Sequence, residues 1–201
     1  MDLSVSLNEK TPRYPGDPET KIIPAGTLEK DGYQDHYVSM GTHVGTHMDA
    51  PSHMLKDGKN LDQFPIEQFS GHGVYIDCTK GFDLETFESA RVTTGDIVLL
   101  HTGMDASYYR PGYFEDYPSI PEEIARYLVE KKIKMIGVDM CSPDHPPFAI
   151  HKIFLGAGIL IIENLTNLAA LKDKRFQVFA FPIKLGIDAA PVRVVADMIT
   201  T

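Results

Sequence analysis

The chain has 201 residues, of which 43% are hydrophobic and 23% are charged, and its formal net charge is −9 at pH 7. These values predict one globular domain that spans residues 1–201. No block of Lys and Arg concentrates positive charge, and no apolar run is long enough to cross a bilayer. We therefore expect neither nucleic acids nor membranes as partners.

The first third of the chain reads as rich in β-structure. Residues 14–18 (Tyr-Pro-Gly-Asp-Pro) favour a tight turn, because proline presets φ and glycine adds freedom. A strand is predicted at 36–40, and alternating apolar and polar side chains predict another at 73–78. Residues 43–53 are predicted as a curved strand or loop, and 60–69 show no clear pattern.

From Asp83 onward the pattern alternates between helix and strand. Asp83 can cap a helix that runs to about Arg91, and Ser119 with Pro121 opens a second helix. A short third helix is predicted at 150–155. Apolar runs predict the intervening and following strands at 97–101, 134–139, 159–162, 178–183 and 192–196. This alternation predicts an α/β fold with a mixed β-sheet and flanking helices.

Histidines cluster near the end of the first quarter of the chain. His43, His47 and His53 lie within eleven consecutive positions, with Asp49 between them. Imidazole and carboxylate together suit a divalent metal ion. An ideal strand would separate His43 and His47 by about 13 Å, which is at the limit for two ligands about 2.1 Å from one ion. The segment must therefore bend, and Gly45 is where a bend is easiest and where a missing side chain would leave room for the ion.

Two further candidate ligands lie about a hundred residues later. His151 falls on the predicted short helix, and Glu163 follows the apolar strand at 159–162. Burial of an unpaired carboxylate is costly, and a metal ion would satisfy it. Spacing alone does not separate these ligand roles from the alternative, in which Glu163 lies in solvent and His151 is an ordinary histidine on the helix surface.

The segment 43–53 has the pattern H-x-G-T-H-x-D-A-P-x-H, which resembles the signature of the cyclase-like metal-dependent hydrolases. That family includes bacterial kynurenine formamidase (arylformamidase) and isatin hydrolase. Other stretches along the whole chain are also similar to it: 2–4, 14–17, 95–103, 136–139, 158–165 and 190–193. The resemblance implies the family's swivelling β/α fold and assembly as a dimer or tetramer.

The resemblance also implies roles for individual residues. The positions that match the family's metal ligands are His43, His47, Asp49, His151 and Glu163, with Asp49 bridging the ions in two-metal members. His53 matches the catalytic histidine and would carry a proton. The implied cofactor is one or two divalent ions per chain, with zinc as the first choice and manganese as the second.

The implied activity is hydrolysis of a formamide or amide bond in a small molecule by a metal-activated water, with N-formylkynurenine as one substrate. Two departures stand out: His151-Lys152 replaces the two adjacent histidines common in the family, and 141–149 is shorter than in kynurenine formamidase. Three alternatives stay open: hydrolysis of a cyclic amide or lactone, a dehydratase or cyclase reaction, and metal binding without catalysis.

Several features carry less specific information. Aromatic residues near loops or motifs are candidates for the substrate pocket: Tyr14, Phe64, Phe69, Tyr108, Tyr109 and Phe148. His145 is a further candidate ligand. Cys78 and Cys141 make no disulfide framework, and the sequence MDLSVSLNEK lacks the features of a signal peptide, so a cytoplasmic protein is predicted.

Overall fold

The computed structural model describes residues 1–199 as a mixed β-barrel flanked by helices. In chain order the strands are β1 (Lys21–Gly26), β2 (Asp35–Ser39), β3 (His47–Asp49), β4 (Ser70–Asp77), β5 (Ile97–His101), β6 (Met135–Val138), β7 (Leu160–Glu163), β8 (Phe176–Pro182) and β9 (Ala189–Met198). The α-helices are α1 (Leu28–Asp31), α2 (Leu84–Ser89), α3 (Glu122–Glu130) and α4 (Ala149–Gly156). This single-domain α/β arrangement confirms the predicted fold class.

Seven of the strands described within residues 1–199 close into a barrel in the order β3-β7-β6-β5-β4-β8-β9. Strands β4, β5, β6 and β7 run parallel to one another. Strand β8 pairs antiparallel with both β4 and β9. The short strand β3 closes the barrel by pairing antiparallel with both β7 and β9. Its residue His47 lies opposite Glu163 on one side and Pro191 on the other.

Two cores explain why the central strands are apolar on both faces. Ile97 and Leu99 of β5 belong to the core inside the barrel, whereas Val98 and Leu100 pack outward against the helices. Phe154 of α4 lies in the same outer core. Strands that are buried on both faces read as continuous apolar runs, which is the pattern at 97–101.

Helices stay short throughout the described part of the chain. Within residues 1–199, no helix has both the length and the apolar character needed to cross a membrane. Asp83 caps α2 as predicted, since its side chain accepts a hydrogen bond from the backbone N–H of Thr86. The helix ends at Ser89 rather than Arg91, which has a left-handed φ of 56°.

The segment 43–53 bends, and the residues 60–69 form short turns of 3-10 helix at Leu61–Gln63 and Ile66–Phe69. Gly45 makes the bend with a φ of +67°. A side chain at Gly45 would meet Leu7 and Val5 rather than the histidines. The expectation that this glycine leaves room for an ion is therefore wrong, because its function is the backbone conformation.

Candidate metal centre and its pocket

The structure brings all of the site residues expected from the sequence to one place. The loop after β2 supplies His43, strand β3 supplies His47 and Asp49, and a 3-10 turn at Pro51–His53 supplies the third histidine. Helix α4 and the carboxyl end of β7 contribute His151 and Glu163. Because β3 pairs with β7 in register, His47 and Glu163 face each other across the ladder.

The distances between these side chains match a shared ligand set. Nε2 of His47 lies 3.2 Å from Oε2 of Glu163 and 3.5 Å from Oδ1 of Asp49. Nδ1 of His43 lies 2.9 Å from the same Asp49 oxygen, and Nε2 of His151 lies 3.3 Å from Oε1 of Glu163. Ligands bonded at about 2.1 Å stand roughly 3.0–3.5 Å apart at common coordination angles. The side chains therefore fit a divalent metal ion.

Unsatisfied polar atoms give an independent test of that fit. Nε2 of His47 and both carboxylate oxygens of Asp49 are buried without a hydrogen-bond partner in the described part of the chain. Buried polar groups without partners carry a desolvation penalty, and a carboxylate carries a larger one than a neutral group. A metal ion between these atoms would satisfy all three.

The far side of each imidazole is also fixed. Nδ1 of His47 donates to the backbone oxygen of Gly45 at 2.9 Å, which turns Nε2 toward Asp49. Nδ1 of His151 donates to the carboxylate of Asp144, which turns its Nε2 toward Glu163. Metal-binding histidines characteristically have such a partner on the second nitrogen.

Asp144 and Asp188 are functional candidates that the sequence reasoning missed. Oδ2 of Asp188 lies 3.0 Å from Nε2 of His43 and 3.4 Å from Nδ1 of His53. No spacing pattern connects residue 188 to the histidine segment, because β9 brings it there by pairing with β3. Asp144 lies seven residues before His151, a spacing that indicates nothing by itself.

Charges in the cluster shift the ionisation of its members. Burial lowers the pKa of His43, but the Asp49 carboxylate outweighs this effect and raises it to about 10. Burial would raise the pKa of Asp49, yet the positive charges of His43 and His47 hold it below its usual value. Burial lowers the pKa of His53, and the Asp49 carboxylate opposes this effect, but charge on His43 and His151 helps to keep the pKa below its usual value. His53 is therefore neutral at pH 7 and able to accept a proton.

A pocket of about 200 Å³ opens onto the cluster. Its polar wall includes His53 and Glu163, and its remaining walls are largely apolar, formed by Tyr14, Met54, Phe114 and Phe148. Tyr14 and Phe148 thus lie where the sequence suggested, and Phe114 was missed. The other aromatic candidates lie elsewhere: Phe64 and Phe69 in a separate hollow, Tyr108 in the core and Tyr109 on the surface.

His145 does not join the cluster. Its ring stacks on Tyr117 with 4.0 Å between centroids, and its Nε2 donates to the Tyr117 backbone oxygen at 3.0 Å. His145 is exposed to solvent, so it supports the loop before α4 rather than the ligand set.

Comparison with known proteins places these observations in a family. Residues 1–145 match the Cyclase family model, described as "Putative cyclase". A kynurenine formamidase from Bacillus mycoides is 30% identical over 203 residues, which cover 97% of this chain and 95% of that protein. An uncharacterised protein from Methanocaldococcus jannaschii is 36% identical over 185 residues, or 91% of each chain.

Solved structures with a similar fold point to the same family. Isatin hydrolase A from Labrenzia aggregata superposes with a TM-score of 0.88 at 27% identity, covering 100% of this chain and 93% of that one. A structure described as a potential metal-dependent hydrolase with cyclase activity gives a TM-score of 0.80 at 29% identity, covering 98% of this chain and 96% of that one. The chain therefore belongs to the Cyclase family, and within it to the metal-dependent amide hydrolases.

Proposed function

We propose that this protein hydrolyses the amide bond of a small aryl amide in the pocket above the histidine cluster. The observation that carries the proposal is the set of buried, unpartnered ligand atoms on His47 and Asp49, with the neutral His53 beside them. A closed four-ligand site would indicate a structural metal. Here a pocket reaches the cluster, which supports catalysis over metal binding alone.

The size and lining of the pocket favour a substrate with a single aromatic ring. Its volume is about 200 Å³, and Phe114 and Phe148 supply apolar ring faces. An N-formyl aryl amine such as N-formylkynurenine is the first choice, because a kynurenine formamidase is among the relatives. A cyclic aryl amide such as isatin is the second choice, because an isatin hydrolase shares the fold over the whole chain.

The cofactor in this proposal is one or two divalent ions, with zinc as the first choice and manganese as the second. His43, His47 and Asp49 would hold one ion, and Asp49 would also help to hold a second ion. His151 and Glu163 would complete that second site. Such an ion, when bound, lowers the pKa of a water from 15.7 toward about 7 and polarises a substrate carbonyl.

His53 is assigned the proton transfer. A nitrogen of its ring lies within 4.8 Å of ligand atoms on Asp49 and His151, and its side chain lines the pocket. As a neutral imidazole it accepts the proton of the attacking water and then donates it to the leaving amine. Asp49 and Glu163 act as ligands in this proposal and take no part in the proton transfer.

Substitution at two histidines tests these roles. The His53→Ala enzyme should keep its metal content while turnover falls by about 100-fold or more, since only the proton carrier is removed. The His47→Ala enzyme should lose both metal and activity. Elemental analysis and assays with N-formylkynurenine, isatin and simple formamides provide the measurements. His72→Ala, an exposed histidine outside the cluster, is the matched control.

Loss of metal from His53→Ala would show that this residue is a ligand and would overturn its role. Reaction in ¹⁸O-labelled water separates hydrolysis from the dehydratase or cyclase alternative. Hydrolysis places the label in the carboxylic acid product, whereas a product free of label from every substrate would contradict the hydrolase proposal.

We also propose that the protein is a homodimer. Among the strands described in residues 1–199, β1 and β2 pair only with each other, and the side chains of Ile23, Tyr37 and Val38 are exposed. A lone two-stranded hairpin is marginally stable in water, so a second copy is the partner that would cover these apolar groups. A cytoplasmic location is supported by the free, buried thiols of Cys78 and Cys141, which suit a reducing compartment.

A further inference from the structure

Asp188 contacts two histidines to which different roles are assigned. Its Oδ2 atom lies 3.0 Å from Nε2 of His43 and 3.4 Å from Nδ1 of His53. A carboxylate oxygen can accept more than one hydrogen bond, so both N–H groups can donate to it at once. The rings of His43 and His53 lie against each other, with 4.1 Å between their centroids.

The backbone at Asp188 is tied directly to the strand that carries the ligands. Its carbonyl oxygen accepts a hydrogen bond of 2.8 Å from the N–H of Ala50. The next residue, Ala189, begins β9 and lies opposite Asp49 in the antiparallel ladder. The position of the Asp188 carboxylate is therefore set by the same pairing that sets the Asp49 carboxylate.

Both contacts leave one nitrogen of each ring for the metal centre. When Nε2 of His43 donates to Asp188, Nδ1 carries no proton, and its lone pair is available to a metal ion. This Nδ1 atom lies 2.9 Å from Oδ1 of Asp49. When Nδ1 of His53 donates to Asp188, Nε2 is the nitrogen left free to take a proton. A carboxylate that holds a histidine in one tautomer acts in this way in serine hydrolases and around zinc.

We propose that Asp188 is a positioning residue, which holds His43 and His53 in the tautomers that their ligand and proton-carrying roles need. This inference rests on the function proposed above for the two histidines. Asp188 does not line the pocket, so we expect it to act through the two imidazoles. Its side chain is 36% exposed at the rim of the cluster, so its removal leaves no buried cavity.

The test uses Asp188→Asn in the zinc-loaded enzyme, with Asp197→Asn on the exposed side of β9 as the control. Asparagine keeps the shape but loses the charge and one acceptor oxygen. We expect kcat to fall by about 10- to 100-fold with metal content unchanged, which is the usual effect of a partner of a metal-binding histidine. The KM should stay within about threefold, because Asp188 does not line the pocket.

A double-mutant comparison shows whether Asp188 acts through His53. In a His53→Ala background, Asp188→Asn should reduce kcat by less than about threefold more, because coupled residues are not additive. A full 10- to 100-fold further loss would overturn the claim that Asp188 acts through His53. Loss of one metal ion from Asp188→Asn would also overturn it, because Asp188 would then be a ligand.

Nitrogen-15 NMR of the imidazole rings gives a readout that does not depend on turnover. In the wild-type protein the His53 ring should show one tautomer, protonated on Nδ1, and Asp188→Asn should show a mixture of both. An unchanged His53 spectrum would refute the positioning role. If His53→Ala kept full activity, the proposed function would fail, whereas the spectrum would still decide the role of Asp188.

Discussion

Asp49 faces imidazoles on both sides, with one carboxylate oxygen toward each. Its Oδ1 atom lies close to His43 and His47, and its Oδ2 atom lies 3.9 Å from Nε2 of His151. Both oxygens are buried and lack a hydrogen-bond partner in the described part of the chain. This position fits the proposed role of Asp49 as a ligand to one or two divalent ions.

Ionisation of the ligands leads to a prediction about metal uptake. In the absence of metal, the Asp49 carboxylate raises the pKa of His43 to about 10 against the effect of burial. Burial also lowers the pKa of His151, but Asp144 and Glu163 raise it to about 10. Both imidazoles thus carry a proton at pH 7, and metal ligation must displace it. Zinc binding should release protons, and affinity should rise as pH increases from 7 toward 10.

Calorimetric titration of metal-free protein in two buffers of different ionisation enthalpy measures this release. The apparent binding enthalpy should differ between the buffers in proportion to the protons released. Equal enthalpies in both buffers would show that His43 and His151 are already neutral before the metal binds.

Individual elements differ in how well the sequence predicts them. Strand β5 at Ile97–His101 coincides with its prediction, because burial on both faces makes its first four positions apolar. Strand β3, in contrast, was not predicted as a separate strand, because the sequence indicated only a curved strand or loop over 43–53. It has three residues, and two of them, His47 and Asp49, serve the site instead of the core. Its existence depends on pairing with β7 and β9, which no local pattern reveals.

The same limit applies to the candidate site. The histidines and Asp49 were found because they are close in sequence and match a family signature. Asp144 and Asp188 act through contacts made only in the folded chain, so the sequence gives no signal for their roles. Strand β1 was missed for a different reason, since its exposed side chains produce no alternation of buried and solvated positions.

Gly58 packs against the 3-10 turn Pro51–His53, and we expect it to be needed for the position of that turn. The loop folds back so that the N–H of Ser52 donates to the backbone oxygen of Lys59 at 3.1 Å. A β-carbon at Gly58 would clash with the backbone of Pro51 and Ser52, which cannot move without shifting His53. Gly58→Ala should therefore lower the free energy of unfolding by about 1–3 kcal/mol and reduce turnover.

Denaturant unfolding and kcat together check this expectation. Gly156→Ala at the end of α4 is the matched control, because a β-carbon there meets no atom within 4 Å. It should leave both quantities unchanged or slightly increase stability, since alanine favours a helix over glycine. A Gly58→Ala enzyme with normal stability and turnover would show that the turn tolerates displacement.

At the scale of the whole molecule, the β1–β2 hairpin stands out because, within residues 1–199, it forms a sheet separate from the barrel. Replacing its exposed residues Ile23 and Val38 by serine should weaken the proposed homodimer, because most of the association energy of such a surface comes from buried apolar area. Light scattering after size exclusion should then report the mass of one chain instead of two. Tyr109→Ser, an exposed aromatic substitution away from the hairpin, is the control.

A monomeric wild-type protein at micromolar concentration would contradict the dimer proposal directly. A Ile23→Ser/Val38→Ser variant that stays dimeric would place the interface on another surface. In either case the metal content measured alongside shows whether association and the metal centre are independent.

The order in which the ligands occur along the chain has a consequence for biogenesis. His43, His47 and Asp49 leave the ribosome well before His151 and Glu163, and β3 is held in place only by the later strands β7 and β9. A nascent chain therefore offers an incomplete set of donors on an unpaired strand. Under the proposed ligand assignment, stable metal loading would have to wait until β7 and β9 are made, and truncated translation products would sequester little metal from the cell.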